Sequence, residues 1–255
     1  DAFISSDYLK KVEEFFDKHK EIDVLGGPQL TPHDDNKFGK ISGYALSSKF
    51  GAWKLSNRYS MNKKIFDVDE TALTSANLIC KKKVVENIRF DENLFPGEDP
   101  KFISDIKKKN FKIAYNPDIV VYHKRRPNYS LLIKQMFNYG KTRPKKESFF
   151  ETLKKPFFLI PSLFSIYLIL LLANILVNPS LTGNIFNIDN HNWTNLGFLW
   201  FLPFFIYALL VLIFSFYESA KNKDFKALFV LLFIYPAIHM SYGYVMIYGW
   251  LRKII

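Results

Sequence analysis

The chain has 255 residues, 49% of them hydrophobic, and 35 Lys and Arg against 24 Asp and Glu, a formal net charge of +11. Its single cysteine, Cys80, excludes an internal disulfide and suits a reducing compartment. The positive surplus favours anionic partners such as nucleotide or lipid phosphates. Scattered lysines without RNP, zinc-finger or helix-turn-helix spacing argue against nucleic acid.

The apolar residues are unevenly spread. Residues 1–155 carry 30 Lys and Arg with 21 Asp and Glu, whereas residues 156–255 carry 5 and 3 and hold most of the apolar runs. Two regions are expected, a polar one over 1–150 and a membrane region over 151–255. The chain opens at Asp1 with neither a signal peptide nor a charged leader, in residues that read like the middle of a domain. A missing front is therefore expected.

In chain order, Ser6-Asp7 can cap a helix over Tyr8–Lys20, where Leu9, Val12, Phe15 and Phe16 recur at helical spacing. Glu21–Leu25 alternates like a strand and stops at Gly26-Gly27-Pro28. Residues 29–70 predict a long irregular loop, of the sort that is functional or mobile. Within it His33-Asp34-Asp35 predicts a solvated loop rather than a metal site, because adjacent residues rarely converge on one ion. Asn77–Cys80 predicts a strand, Lys81–Ile88 a short helix, Phe111–Tyr115 a strand, and Ile119–His123 a second strand after the turn Asn116-Pro117-Asp118. The alternation of helix and strand predicts an α/β class.

Between these elements lies an acidic stretch, Phe90 to Phe102, with four carboxylates (Asp91, Glu92, Glu98, Asp99) in nine residues. Pro100 disfavours α angles at Asp99 and suits the first position of a helix. Gly97-Glu98-Asp99 thus predicts a loop ending at a helix over Lys101–Asn110, with Phe102, Ile103 and Ile106 on its buried face. A carboxylate at a helix N-terminus is electrostatically favoured, and on a rigid turn it can act as a general base. Taken alone, an Asp in such a place is more often a helix cap.

Beyond an amphipathic helix containing Leu131, Leu132 and Phe137, three apolar runs are long enough to span a bilayer: Pro156–Val177, Leu196–Tyr217 and Ala227–Trp250. Trp193, Trp200, Tyr217, Tyr248 and Trp250 stand near their ends as an aromatic belt would. The basic flank before Pro156 predicts a cytoplasmic polar region, and the loop Asn178–Asn195, without Lys or Arg, an outward one. Arg252-Lys253 then falls on the unfavourable side, so either the third segment is re-entrant or the charge rule bends. Pro236 and His239 interrupt that segment, and for His239 a hydrogen bond to a neighbouring helix is the first reading. Asn192-Trp193-Thr194 fits a glycosylation pattern that arises often by chance.

The ordered set of an Asp-led loop and helix, a strand into Gly-Gly-Pro, the Thr74-Ser75-Ala76-Asn77 strand, Arg89-Phe90-Asp91-Glu92, Gly97-Glu98-Asp99, the run Lys112 to His123 and Gln135-Met136-Phe137-Asn138-Tyr139-Gly140 resembles the second half of family 2 glycosyltransferases. It is most similar to their membrane-anchored members, which build surface polysaccharides and lipid-linked glycans. The resemblance covers residues 1–145 and extends loosely into the tail, where His239 to Tyr244 resembles the last hydrophobic segment. It implies a GT-A (Rossmann-like) catalytic domain lacking its N-terminal nucleotide-binding half, followed by α-helical membrane spans.

The resemblance also implies the chemistry: a nucleotide-sugar donor, a divalent metal (Mg²⁺ or Mn²⁺), a lipid-linked or glycan acceptor, and membrane lipid around the tail. Asp99, with Glu98 beside it, would take the proton of the acceptor hydroxyl as it attacks the anomeric carbon, an inverting displacement. Asp1 would be the last carboxylate of an Asp-x-Asp metal motif, or alternatively only a residue leading into a helix. His123 would complete the metal site or touch the diphosphate, and Arg125 and Arg126 would contact the diphosphate or, as a basic run, anionic lipid. Asn77 and Gly97 would contact sugar or acceptor. Gln135, Tyr139 and Arg143 would line a substrate channel, although Asn138 and Tyr139 depart from the Gln-x-x-Arg-Trp motif of processive synthases. The alternatives are a processive polysaccharide synthase or an inactive membrane scaffold with a transferase-like shell.

Overall fold

The computed structural model describes residues 2–95, 97–177 and 197–254. The polar region is mixed α/β, built on two small sheets. The four-stranded sheet has the order β4 (Ile65–Phe66), β6 (Ile113–Tyr115), β2 (Val24–Gly26), β5 (Leu78–Cys80). Strands β2 and β6 run parallel, with Val24 opposite Ile113 and Gly26 opposite Tyr115, while β5 and β4 are antiparallel to their neighbours. Both central strands are fully buried, so they read as short continuous apolar runs rather than alternating ones. The three-stranded sheet is β1 (Ala2–Ile4), β7 (Val121–His123), β3 (Gln29–Leu30), and its antiparallel pair sets Ala2 opposite His123.

Helix α1 (Tyr8–Lys18) covers one face through Tyr8 and Phe15, packed with Leu25, Ala114 and Ile119. Leu9, counted in its apolar stripe from sequence, is instead 71% exposed. The other face is closed by α4 (Lys82–Asn87) and α5 (Glu98–Lys108), with Val84, Phe102, Ile103 and Ile106 against Val24, Ile113 and Tyr115. Helix α5 begins three residues earlier than predicted and takes Glu98 and Asp99 into its first turn. Gly97 makes this possible. It turns the chain at φ +124°, and the first turn needs no N–H from Pro100.

The largest correction concerns residues 29–70, predicted as an irregular loop. They contain β3, α2 (Lys37–Ser47), α3 (Lys49–Ala52), a 3-10 helix over Trp53–Arg58, and β4. Asn36 caps α2 by accepting the Gly39 N–H at 2.8 Å. Gly39 and Gly43 lower the local helix propensity and mask the helix in the sequence. Its apolar face is nevertheless real: Ile41, Ala45 and Leu46 are buried against Ala227, Leu231, Ile234 and Tyr235 of the apolar tail.

Among the described residues three helices are long and apolar enough to cross a membrane, within Pro156–Val177, Leu199–Lys221 and Ala227–Arg252. They are α8 (Ile160–Val177), α9 (Gly197–Lys221) and α10 (Ala227–Ile254), preceded by α6 (Tyr129–Lys146) and the short α7 (Phe149–Leu153). Helix α10 is continuous through Pro236, about 42 Å at 1.5 Å per residue, which is long enough to cross a bilayer. It is also the hub, packed against α6, α8, α9 and α2. Its most hydrophobic stretch is 44% buried, against 17% and 11% for the other two. Gly243 sets the α8 crossing, since a Cβ there would lie 2.4 Å from the Pro161 carbonyl oxygen and 2.5 Å from Ser165 Oγ. His239 is a clasp, as read from sequence. Its Nε2–H donates to the Phe50 carbonyl at 2.9 Å, leaving Nδ1 to accept from the Tyr207 hydroxyl at 3.0 Å. The α2–α3 segment is thereby fixed to two of the long apolar helices. Trp193 and Asn192-Trp193-Thr194 lie outside the described residues.

Candidate functional site

Asp99 stands at the second position of α5, half-buried, with Oδ2 accepting the Ser75 backbone N–H at 3.3 Å. Among the described residues Oδ1 has no hydrogen-bond partner. Glu98 turns back, and its Oε2 accepts the Gly97 N–H at 2.8 Å. The two carboxylates therefore differ: Glu98 closes the turn, and Asp99 presents a free oxygen beside a helix N-terminus. Gly97 also seats this turn on α6. A Cβ at Gly97 would lie 2.0 Å from Thr142 Cγ2.

That contact sets the acidic turn against the helix that carries Gln135 and Tyr139, the residues expected from sequence to line a substrate channel. Gln135, Tyr139 and Thr142 lie on one stripe of α6, spaced by four and three residues, about 10 Å from end to end. Gln135 Nε2 donates to the Tyr139 hydroxyl at 3.0 Å, and Tyr59 lies close enough to act on that hydroxyl electrostatically. The Arg125 guanidinium lies over the Tyr59 ring, 4.7 Å from its centroid. A chain of contacts thus joins Arg125, Tyr59, Tyr139 and Gln135. Tyr59 had no sequence signal, because it follows a 3-10 helix inside the supposed loop.

Arg125 itself is well occupied. It donates through Nε to Thr31 Oγ1 at 3.0 Å and through its guanidinium to the Gln29 carbonyl, while its backbone N–H donates to Asp35 Oδ2 at 2.7 Å. Asp35, expected in a solvated loop, is only 6% exposed and forms the other half of this clasp. Arg126 is exposed beside it. Arg143 lies at the membrane end of α6, paired with Glu147 at 2.8 Å and stacked over Phe158.

His123 ends β7 with Nδ1–H donating to the Lys124 carbonyl at 2.8 Å, since a carbonyl can only accept. Nε2 keeps its lone pair. Burial pushes the imidazole pKa below its usual range, and Arg125 and Arg126 add to that, so the neutral, ligating form is favoured. Asp1 lies outside the described residues. Among the described residues no group of three or more His, Cys, Asp or Glu is placed to hold a metal ion.

Asn77 is fully enclosed at 1% exposure. Its Oδ1 accepts the Tyr8 hydroxyl at 2.7 Å, and its Nδ2 donates to the carbonyls of Pro28 and Ile119 at 3.0 and 2.7 Å. Both amide hydrogens are spent on protein, tying α1 to two turns. Each buried partner orphaned by its loss costs about 1–3 kcal/mol. Asn77→Ala is expected to lower stability by roughly 3 kcal/mol and to leave substrate KM unchanged at a temperature where the variant is folded. Asn77→Asp, which keeps the acceptor and loses both donors, is expected to unfold nearly as easily. Chemical denaturation of the two variants checks this, and a KM change at full stability would return Asn77 to the substrate.

A second polar cluster joins the polar region to the segment before the first long apolar helix. Glu70 Oε1 pairs with Lys146 at 3.2 Å and with Lys155, and Lys155 also reaches Glu147 at 3.7 Å. Three cations, counting Arg143, share two carboxylates. Burial pushes the Glu70 carboxyl up, but Lys146 and Lys155 outweigh it and hold the pKa at about 2. Burial pushes Lys146 down, Glu70 opposes, Arg143 and Lys155 reinforce, and the result is about 8. The carboxylate is over-compensated and the ammonium under-compensated.

No family model matches the chain. Over 121 residues it is 30% identical to the minor teichoic acid biosynthesis protein GgaB of Bacillus subtilis (strain 168), an alignment taking in 45% of this chain and 12% of that protein. The chain therefore spans a small part of the length of this relative.

Proposed function

We propose that this chain forms the acceptor-side half of a membrane-bound inverting glycosyltransferase of family 2, GT-A type, acting in cell-envelope glycan synthesis. The observation that carries the reading is the Gly97-Glu98-Asp99 turn, with one carboxylate oxygen of Asp99 held by Ser75, the other free, and the whole turn seated on α6. The similarity to a protein of teichoic acid biosynthesis supports a cell-envelope glycan as product, and three helices long and apolar enough to cross a membrane suit an acceptor held at the lipid surface.

In this reading the acceptor hydroxyl gives its proton to Asp99 Oδ1. Its oxygen attacks the anomeric carbon of the donor sugar, and the bond to the diphosphate breaks on the opposite face, releasing a nucleoside diphosphate with inversion. Glu98 keeps the turn closed. Arg126 faces the leaving group, and Arg125, through Tyr59, orders Tyr139 and Gln135 along the acceptor path. A divalent cation, Mg²⁺ or Mn²⁺, would draw on His123 Nε2 and Asp1 and supply positive charge to the leaving diphosphate. The polar region lies on the cytoplasmic side, where nucleotide-sugars are made.

The test is direct. Membranes containing the chain joined to the nucleotide-binding half that the reading requires are incubated with a panel of radiolabelled nucleotide-sugars, and label is counted in the lipid-extractable and polymer fractions. Incorporation from at least one donor supports the reading, and label from none of the common donors sinks it.

A further inference from the structure

Beside the acidic turn lies a cleft of about 440 Å³ lined by Ser75, Leu78, Cys80, Val85, Phe90 and Phe102. Its volume is within the range of small-ligand sites, roughly 300–1,000 Å³. The cleft adjoins the candidate base, since Ser75, one of its lining residues, donates its backbone N–H to Asp99. Phe90 forms its platform. One face of the ring is stacked on Phe102, with centroids 4.1 Å apart and planes 17° apart. Phe102 is buried at 3% exposure, whereas Phe90 is 45% exposed. A large aromatic ring is thus packed on a buried neighbour and itself largely exposed.

The lining carries no charged side chain, and burial pushes the Cys80 thiol up to about 11, so it too is neutral. A diphosphate or a lipid phosphate finds no counter-charge here. An uncharged ring suits the lining better. The C–H bonds on one face of a pyranose carry slight positive charge and meet the negative face of an aromatic ring. The cleft is also built from β5, α4, α5, the segment between those helices and the turn before β5, while the apolar tail packs against α2, α3 and α6. A lipid chain would have to leave the membrane to reach it.

We propose that this cleft is an acceptor-sugar subsite, in which a pyranose ring stacks on Phe90 and directs a hydroxyl toward Asp99. The proposal rests on the transferase reading for its role, but not for its binding. Cys80 provides a readout independent of turnover, being the only cysteine in the chain and one wall of the cleft.

The experiment uses the chain in lipid nanodiscs, free of glycoside detergents, and follows alkylation of Cys80 by iodoacetamide at mildly alkaline pH. The probes are methyl β-galactopyranoside and N-acetylglucosamine, with glycerol and 1-octanol as controls. A bound sugar slows alkylation by about tenfold at a concentration about ten times its Kd, because the free fraction falls as 1/(1 + [L]/Kd). Protection is expected to be saturable, lost in Phe90→Leu, which keeps apolar packing on Phe102 without a ring, and retained in Phe90→Tyr. Unchanged alkylation with either sugar, protection by 1-octanol equal to that by sugar, or full protection in a folded Phe90→Leu protein would each overturn the subsite. A protein that protects Cys80 with sugar yet transfers none keeps the subsite and loses the transferase reading. Transfer without protection removes the subsite alone.

Discussion

Asp99→Asn is expected to lower sugar transfer by roughly 10²–10⁴-fold, the range that a positioned general base contributes, while donor binding changes little. The asymmetry follows from the geometry. Asn can still accept the Ser75 N–H that Oδ2 accepts, so the turn and the start of α5 should hold. What disappears is the free oxygen able to take a proton. Glu98→Gln is expected to act differently, because Glu98 spends one oxygen on the Gly97 N–H and serves to close the turn. Its loss should be smaller and accompanied by reduced stability. Transfer rates of the two variants, with donor affinity measured by calorimetry, separate the roles. Equal losses for both would mean that the pair acts as a unit and that assigning the proton to Asp99 is wrong.

The second large effect concerns stability. Glu70 is 4% exposed and serves as counter-ion to Lys146 and Lys155. Removing one partner of a buried pair costs about 3–5 kcal/mol, and Glu70→Gln should fall in that range. The pKa difference gives a similar figure: from an ordinary value of 4.5 down to about 2, at 1.36 kcal/mol per unit, is roughly 3 kcal/mol. Because the folded pKa is depressed, this contribution is complete above the unfolded value and is lost as pH falls through about 2. Lys146 acts at the alkaline side. Its folded pKa of about 8 lies below the ordinary 10.5, so carrying its charge costs stability below 8, and the cost is relieved between 8 and 10.5. Glu70→Gln with Lys146→Met should regain much of the loss, since a buried pair exchanged for neutral groups is often tolerated. Thermal midpoints of the single and double variants against pH test this. A double variant no more stable than Glu70→Gln would contradict the pairing.

What could be read in the sequence follows from how local each feature is. Helix α1 shows in the spacing of Val12, Phe15 and Phe16, and strands β2, β5, β6 and β7 show in short apolar runs bounded by turns, each within about three residues of its observed ends. The acidic turn and the three apolar helices were visible for the same reason. Helices α2 and α3 were not, because their apolar faces are buried against Leu231 and Tyr235, some 190 residues along the chain, and glycines dilute the pattern. Glu70 was hidden likewise, since its partners lie 76 and 85 residues away. Tyr59 offered nothing locally, and its place becomes visible only when Arg125 and Tyr139 meet it. Asn77 stood out correctly as an unusual residue, but its two donors are committed to backbone carbonyls, which no reading of Thr-Ser-Ala-Asn could foresee.

The central claim is a single base beside an acceptor and displacement on the opposite face of the donor sugar. The anomeric configuration of the first product tests it most directly. Transfer from an α-linked nucleotide-sugar, with the product examined by proton NMR before it can equilibrate, is predicted to give a β-glycosidic linkage. An α-linked product would mean retention, and one base at Asp99 could not account for it.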